Sequence, residues 1–431
     1  MKVLMFGWEF PPHVAGGLAT ACYGLTKGLA KHNVDMIFVV PKAYGDEDQR
    51  SVRVVGAENV TFEGSAGELE ALWQHLVYFE AHSYLLPYLS AEEFESITES
   101  TVRNGAITHT SHFSRRFKFA GGYGKNLMNE VAQYALLAHT IAQQNEFDVI
   151  HAHDWLTYLA GISAKKASGK PLVIHVHATE FDRSGENVNH VVYDIERRGM
   201  EEADLIITVS NLTRNIVISR YGIDPAKVVT VHNAVDFSAS SFEDVKHGTD
   251  EKIVTFLGRV TYQKGPEYFV EAASKVLKRY RDVRFVMAGS GDMLNRMIRR
   301  VAKLGIANKF NFTGFLHGAD VPHMFALSDV YVMPSVSEPF GISPLEAMRA
   351  HVPTIISKQS GVAEVLRHAI KVDFWDVDAL ADAIYGILNY PALTKMFIRL
   401  GDKEVENLKW DNAALKVKQV YEKATAAGSR P

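Results

Sequence analysis

The sequence predicts an α/β protein built from two doubly wound domains that face one another across a cleft. Three observations predict it. Short apolar, β-rich runs alternate with helical patterns through nearly all of the 431 residues, the rhythm of parallel strands joined by crossover helices. That rhythm breaks once, near residue 240, and then restarts. Several strand ends run directly into Gly-, Pro- or charge-rich loops that open the next helix, which is where open α/β sheets take their ligands.

Each element follows in order. Residues 2–7 read as the first strand, 18–31 as a helix and 35–40 as the second strand; further strands are expected at 147–152, 171–176, 204–209 and 227–231. Residues 1–240 are thus the first domain. The polar, small-residue stretch 238–250 reads as a linker. The second domain, 241–405, carries strands expected at 253–257, 284–288, 309–312, 329–333 and 353–356. In the closing segment 406–431, residues 410–426 read as a helix with apolar positions at Leu415, Val417, Val420 and Tyr421, free to pack on either domain, before a frayed end. Residues 43–124 are too long for one connection. They hold Trp73, Tyr78, Phe79, Tyr84, Tyr88 and Phe94, then the basic Arg115, Arg116 and Lys118. Two readings stand: a local subdomain of helices and a hairpin covering the sheet edge, or an insertion that contacts substrate.

Composition narrows the function. With 47% hydrophobic and 22% charged residues, the chain can bury two sizeable cores. A net charge of −4 without a basic, aromatic-interleaved stripe argues against nucleic acid as a partner. The single cysteine, Cys22, excludes an internal disulfide and the cysteine-rich zinc sites. The apolar run at 1–7 is too short for a signal peptide, and no stretch reaches the length of a membrane span. The expectation is a cytoplasmic protein with no integral membrane segment. Oligomeric state stays open.

The most informative segment is Ser337-Glu338-Pro339-Phe340-Gly341-Ile342-Ser343-Pro344-Leu345-Glu346. Glu338 falls in the loop after a buried strand. Glu346 falls in the first turns of the next helix, three residues after Ser343, the spacing of a capping box. The two carboxylates are either ligand-binding groups or a loop charge and a cap. Elsewhere, Gly16-Gly17 lies between a strand and a helix N-terminus, where glycines let backbone N–H groups approach an anion, or form only a turn. It matches neither the dinucleotide fingerprint nor a P-loop. Arg259 and Lys264 flank a strand end and a helix start, a pattern suited to a diphosphate. Gly289 sits in a second Gly-rich turn, Ala288-Gly289-Ser290-Gly291. Alternation puts His151 with His153, and His175 with His177, on one strand face each. No H-x3-H or H-E-x-x-H spacing marks a metal site, so no metal is expected.

Taken together and in order, Gly16-Gly17-Leu18, Gly258-Arg259 with Lys264, the Glu338/Glu346 pair around Phe340-Gly341, and Ser360-Gly361-Val362-Ala363-Glu364 resemble the retaining family 4 nucleotide-sugar glycosyltransferases with two Rossmann-like domains, the GT-B architecture. The resemblance covers nearly the whole chain apart from parts of 43–124. It implies that Gly16 and Gly17 approach the donor phosphates, joined by Gly289 and the backbone of Phe340, Gly341 and Ile342. Arg259 and Lys264 would bind the diphosphate, Glu338 the donor sugar, Glu346 the ribose, and Phe315 and Leu316 the base. His177 would support the anomeric centre. His151-Ala152-His153-Asp154-Trp155 is similar to a segment of glycogen and starch synthases in which Asp154 and Trp155 would lie near the acceptor. Val14 stands where bacterial glycogen synthases have the lysine of K-x-G-G-L, which leaves a UDP- or ADP-linked donor open. The resemblance implies protein cations in place of a metal, no cofactor beyond the nucleotide-sugar substrate, and a carbohydrate acceptor, an α-glucan in the glycogen-synthase-like reading or else a small sugar or metabolite. The non-enzyme reading is a nucleotide- or glycan-binding module.

Overall fold

A computed structural model of the chain describes residues 1–13, 16–65, 112–124, 126–235, 248 and 250–428. Val14, the aromatic residues between 73 and 94, most of the linker and the last three residues lie outside the described residues.

The first sheet is parallel and seven-stranded, in the order β3 (Arg53–Gly56), β2 (Asp35–Val40), β1 (Lys2–Phe6), β6 (Val149–His153), β7 (Leu172–Val176), β8 (Leu205–Thr208) and β9 (Val228–Thr230). The second is parallel and six-stranded, in the order β12 (Phe310–Gly314), β11 (Val283–Ala288), β10 (Lys252–Leu257), β13 (Val330–Met333), β14 (Thr354–Ser357) and β15 (Ile370–Val372). Central strands are buried on both faces; every residue of β6, β7 and β13 is buried, as expected of parallel sheets covered by helices. The predicted strand ends shift by one or two residues. Two short strands were not expected: β3, at an edge, and β15, only three residues long. Within 43–124, β4 (Phe62–Ser65) and β5 (His112–Arg115) form an antiparallel pair, the hairpin element of the subdomain reading.

Strand order matters more than strand count. In the first sheet the order reverses between β1 and β6; in the second it reverses between β10 and β13. At such a switch point neighbouring strands send their following connections to opposite faces, so a crevice opens at their C-terminal ends. The described loop residues at those crevices are 7–13 and 16 after β1, Asp154 after β6, 258–265 after β10 and 334–342 after β13.

The helix Trp410–Gly428 lies on the first sheet rather than the second. Trp410, Val417 and Tyr421 are buried in one cluster with Cys22, Leu25, Phe38 and Val149, and the Nζ of Lys31 pairs with Asp411 at 2.9 Å. Of its four predicted apolar positions only Leu415 faces out, at 43% exposure. Contact with the helix Gly17–Lys31 is close because two glycines make room: a Cβ on Gly24 would lie 2.2 Å from the Trp410 indole nitrogen, and one on Gly28 would lie 2.7 Å from the Trp410 carbonyl oxygen. Backbone cannot give way as a side chain can. Gly28→Ala is therefore expected to destabilise the protein by about 1–3 kcal/mol through overpacking. Gly386→Ala, in a helix where a Cβ meets nothing closer than 3.9 Å, should stabilise it by roughly 0.5–1 kcal/mol. Urea unfolding of the two variants checks the pair; equal effects would contradict the packing account.

Candidate active site

In the second domain, the turn after β10 is fixed by backbone contact. Gly258 has φ 153° and Gly289 φ 143°, and a Cβ on Gly289 would lie 1.9 Å from the Gly258 carbonyl oxygen. Val260 N–H donates to the Ser290 carbonyl at 2.9 Å. The chain then makes a short 3₁₀ turn, Tyr262–Lys264, and enters the helix Pro266–Val276 through Gly265 at φ 65°. A Cβ on Gly265 would sit 2.1 Å from the Pro334 carbonyl oxygen, so the loop after β10 is pressed onto the loop after β13. This brings the Lys264 ammonium onto the Glu338 carboxylate. The Ser335 hydroxyl donates to the same oxygen at 3.2 Å. Glu338 is buried, and its backbone is clamped by Gln359 and Gly361 at 3.0 and 2.9 Å. Arg259 stays exposed, with one Nη on Gln263 at 3.2 Å.

Beyond Glu338 the Phe340 ring turns into the core, leaving backbone rather than the ring on the loop surface. Gly341, at φ 96°, lies close under the Glu338 side chain. Ile342 is half-buried and touches the core clusters of both domains. The helix begins at Ser343, with Pro344 in its first turn and no side-chain cap. This corrects the capping-box expectation: Ser343 is already helical, and its hydroxyl pairs with that of Tyr331 at 2.8 Å. Glu346 is thus not a cap. It is half-buried, and desolvation pushes its carboxyl up to about 7, with Arg349 opposing. Phe315 stands exposed at the end of β12 with its edge on His317, and Leu316 packs against the small cluster around Met324.

In the first domain, among the described residues nothing lies within 4 Å of where a Cβ on Gly16 or Gly17 would point, and the helix Gly17–Lys31 has no side-chain cap. Helix N-termini without such a cap are suited to an anion. Asp154, at φ 64°, caps the next helix through the Trp155 N–H at 2.8 Å and pairs with Arg183 at 3.0 Å. Trp155 belongs to the hydrophobic core, so its indole is packing and not a face open to an acceptor. The sequence reading missed what Arg183 does. It bridges Asp154 to Glu196, 2.8 Å away; Glu196 in turn takes the Glu180 N–H at 3.0 Å and the Tyr221 hydroxyl. Burial pushes Glu196 up to about 7 against the pull of Arg183.

Polar contacts centred on Ser337 and on Glu364 join the domains beside this site. Ser337, next to Glu338, donates to Asp182 at 2.5 Å. Glu364 accepts the Asn211 and Leu212 N–H groups at 2.9 and 2.7 Å and meets His232 at 2.8 Å. Gly361 permits the approach, since a Cβ there would meet the Pro339 carbonyl at 2.2 Å and Ser210 at 2.4 Å. A cavity of about 230 Å³ adjoins the loop after β1, lined by Trp8, Glu9, Lys42, Tyr44 and Tyr123 among others. Desolvation and the charges of Glu9 and Asp154 raise the Tyr123 hydroxyl's pKa while Arg259 of the other domain opposes them.

His151, His153, His175 and His177 form one ladder on β6, β7 and the β7 end. Ring centres are 4.0 Å apart for His151/His153 and 4.3 Å for His175/His177. The Nδ1 of His151 pairs with the Tyr421 hydroxyl at 2.6 Å, and the Nδ1 of His153 with the Nε2 of His177 at 3.1 Å. Two triplets have ligand-type atoms within 4.8 Å of one another: Cys22, His153 and His177, and His151, His153 and His175. The His153 and His177 rings have centres 5.4 Å apart against 3.1 Å between their nitrogens, so they meet end to end. That is a straight N–H···N bond; two imidazoles on one tetrahedral ion converge at an angle.

With this geometry in hand, similarity places the chain. Residues 238–404 match the family described as Glycosyl transferases group 1, and residues 103–239 match Glycosyltransferase Family 4. An uncharacterised glycosyltransferase of Methanocaldococcus jannaschii is 30% identical over 98% of both chains. A glycogen synthase of Mycobacterium tuberculosis is 23% identical over 100% of this chain and 97% of that one. Among solved structures, sucrose-phosphate synthase from Thermosynechococcus elongatus superposes with a TM-score of 0.70 at 17% identity, covering 99% of each chain. Anabaena HepE in complex with UDP and glucose superposes at 0.67 and 16% identity, covering 98% of this chain and 100% of that one. The chain belongs to the family 4 glycosyltransferases, and its fold is GT-B: two Rossmann-like domains around a cleft. It is a transferase acting with a nucleotide sugar. Among the described residues no helix is long and apolar enough to cross a membrane.

The ladder has a consequence for stability. Burial lowers His151 to about 3 and His177 to about 4, and takes His153 and His175 well below the ordinary value of 6.5. The unfolded chain then binds more protons than the native one. Stability is whole above pH 6.5 and falls as the pH drops from there toward 4, at about 1.4 kcal/mol per pH unit for each histidine. Glu196 and Glu346, both raised to about 7, protonate first in the native state and offset part of this. Four histidines outweigh two carboxyls, so the melting temperature is expected to fall between pH 6.5 and 5. A flat or rising profile over that range would contradict neutral burial of the ladder.

Proposed function

We propose that this chain is a retaining hexosyltransferase that moves glucose from a UDP- or ADP-linked donor to a carbohydrate acceptor, an α-glucan. One observation carries the reading: the Ser337–Asp182 bond at 2.5 Å. It sets Glu338, with Lys264 on it, across the cleft from the segment that begins at His177. Cations for a diphosphate, a carboxylate for sugar hydroxyls and a neutral imidazole then bound one space, with the uncapped helix at Gly17 as a further phosphate contact. Glu346 serves the ribose, and Phe315 and Leu316 the base. The match to a glycogen synthase over the full chain supports the glucan acceptor.

The chemistry follows from charge. As the anomeric C–O bond lengthens, negative charge grows on the diphosphate and positive charge on the sugar. Arg259 and Lys264 stabilise the first, with Lys264 turning from Glu338 to phosphate as the donor enters. Glu338 is then free to accept from sugar hydroxyls. As the resemblance to the retaining family 4 enzymes implies, the acceptor oxygen attacks from the face the leaving group departs. It forms the new C–O bond, and the departing phosphate oxygen takes its proton. Closure of the cleft limits attack by water.

A second reading, transfer to a small sugar or metabolite, is favoured by the 230 Å³ cavity beside the loop after β1, which is below the usual range of ligand clefts. Incubation of the protein with UDP-, ADP- and GDP-glucose, with glycogen or with small sugars, separates them. An α-linked extension of glycogen is the expected product. A short oligosaccharide alone favours the second reading, β-linkage removes retention, and binding without transfer leaves a nucleotide- or glycan-binding module. Arg259→Ala and Lys264→Ala should each lower kcat about 10²–10³-fold, the scale for losing one group that stabilises a developing anion.

A further inference from the structure

We propose that His153 is a positioning residue for His177: it fixes the His177 ring and holds that ring's proton on Nδ1. The inference rests on His177 facing the donor sugar, as read above, but the proton placement is a property of the protein alone.

The argument begins with the strands. β6 and β7 are neighbours, with His153 opposite His175 in register. His153 ends β6 and points to the same face as His177, just past the end of β7. Its Nδ1 lies 3.1 Å from the His177 Nε2, with the rings end to end. His153 is fully buried, and its Nε2 has no hydrogen-bond partner among the described residues. A neutral imidazole carries one N–H and one lone pair. If the His153 proton sat on Nε2, a buried N–H would go unpaired. With the proton on Nδ1, His153 donates to His177 and leaves only a lone pair unmatched. Orphaned buried donors are the rarer and costlier outcome. So His153 donates, the His177 Nε2 accepts, and the His177 proton resides on Nδ1.

Packing holds His153 in that pose. Phe38 lies against its ring with centres 6.0 Å apart, and the His151 ring sits tilted against it at 4.0 Å. His151 is itself tied to Tyr421 of the last helix. His177, half-buried, is the only member of the ladder that is not fully enclosed, and it is the end that meets the cleft. Burial keeps both partners uncharged near neutrality. The cleft therefore receives a neutral ring with a defined donor atom, and no imidazolium opposes positive charge developing on the sugar.

The test uses the full chain in two arms. In the first, two-bond ¹H–¹⁵N correlations of histidine-labelled protein report the tautomer of His177, assigned by the signals lost in His177→Gln. The Nδ1–H form is expected in the wild type, and a mixture of tautomers in His153→Leu. A wild-type His177 protonated on Nε2, or one unchanged in His153→Leu, would overturn the proposal whatever the enzyme transfers. In the second arm, transfer from UDP- and ADP-glucose to glycogen is measured for His153→Asn and His153→Gln. The asparagine amide reaches the place of Nδ1–H, and the glutamine amide the place of Nε2. Asn is expected to keep kcat within about threefold, and Gln to lose tenfold or more with donor KM unchanged. Equal kcat losses at equal melting temperature would reduce His153 to packing. If no sugar is transferred by the wild type, the functional reading fails and the first arm still decides the proton. Should His153→Leu not fold, the tautomer comparison between the Asn and Gln variants takes its place.

Discussion

The contact of Lys264 with Glu338 organises the second domain's half of the cleft. The two residues are far apart in sequence and meet only because strand order reverses between β10 and β13. Both sit in loops that their own backbones hold rigid, through Gly265 against Pro334 and Glu338 between Gln359 and Gly361. An ion pair this enclosed is weak support for folding, because desolvating two charges costs about as much as their attraction returns. Its sense is functional. In the proposed reaction each member is held oriented until a ligand that offers phosphate to one and hydroxyls to the other takes over both contacts, so little reorganisation is needed.

The first domain repeats the device with a different charge pattern. Its switch point places the uncapped helix N-terminus at Gly17 beside Asp154. There Arg183 gathers Asp154 and Glu196, with Glu180 3.8 Å away, so that its charge is consumed within the wall. What remains for the cleft is backbone dipole and neutral imidazole. Contacts between the domains then fall at small residues and short polar bonds, Gly361 against Ser210 and Ser337 on Asp182. Among the described residues few apolar side chains cross between the two cores: Val209 and Val235 join the second domain's cluster, and Ile342 touches both. An interface of this kind separates and re-forms more readily than a hydrophobic core, as a cleft that admits a donor must.

Most of the architecture was legible because it rests on local pattern. β-Rich runs bounded by loop residues gave β1, β2, β6–β8, β10, β11, β13 and β14 to within two residues. Lys264, Glu338 and Gly17 were legible as a set because each sits at a strand end or helix start, where residue type and position point to the same chemistry. What sequence could not supply is side-chain direction. Trp155 and Phe340 lie in motifs that look exposed, yet both rings complete a core. Ser343 has a cap's spacing but is already inside the helix, since the turn at Gly341 starts it a residue earlier. The Arg183–Glu196–Tyr221 network and the histidine ladder are tertiary: their members are ordinary residues until neighbouring strands and helices bring them together. Alternation did put His151 with His153 and His175 with His177, but only the pairing of β6 with β7 makes four histidines one structure.

That ladder also settles how the cleft divides its charges. Four imidazoles stacked at 4.0 to 5.5 Å cannot share a buried face while charged, and burial keeps them neutral far below physiological pH. The cations proposed to meet the diphosphate, Arg259 and Lys264, lie on the other wall. A glycosyl donor breaking its anomeric bond separates charge in the same sense, anion toward the diphosphate and cation toward the sugar. Had the first domain presented an imidazolium, it would have stabilised neither: it would lie on the wrong side of the leaving group and repel the sugar. In the proposed reaction neutrality on one wall matters as much as charge on the other, and in this chain it is enforced by packing two strands' histidines into one buried stack.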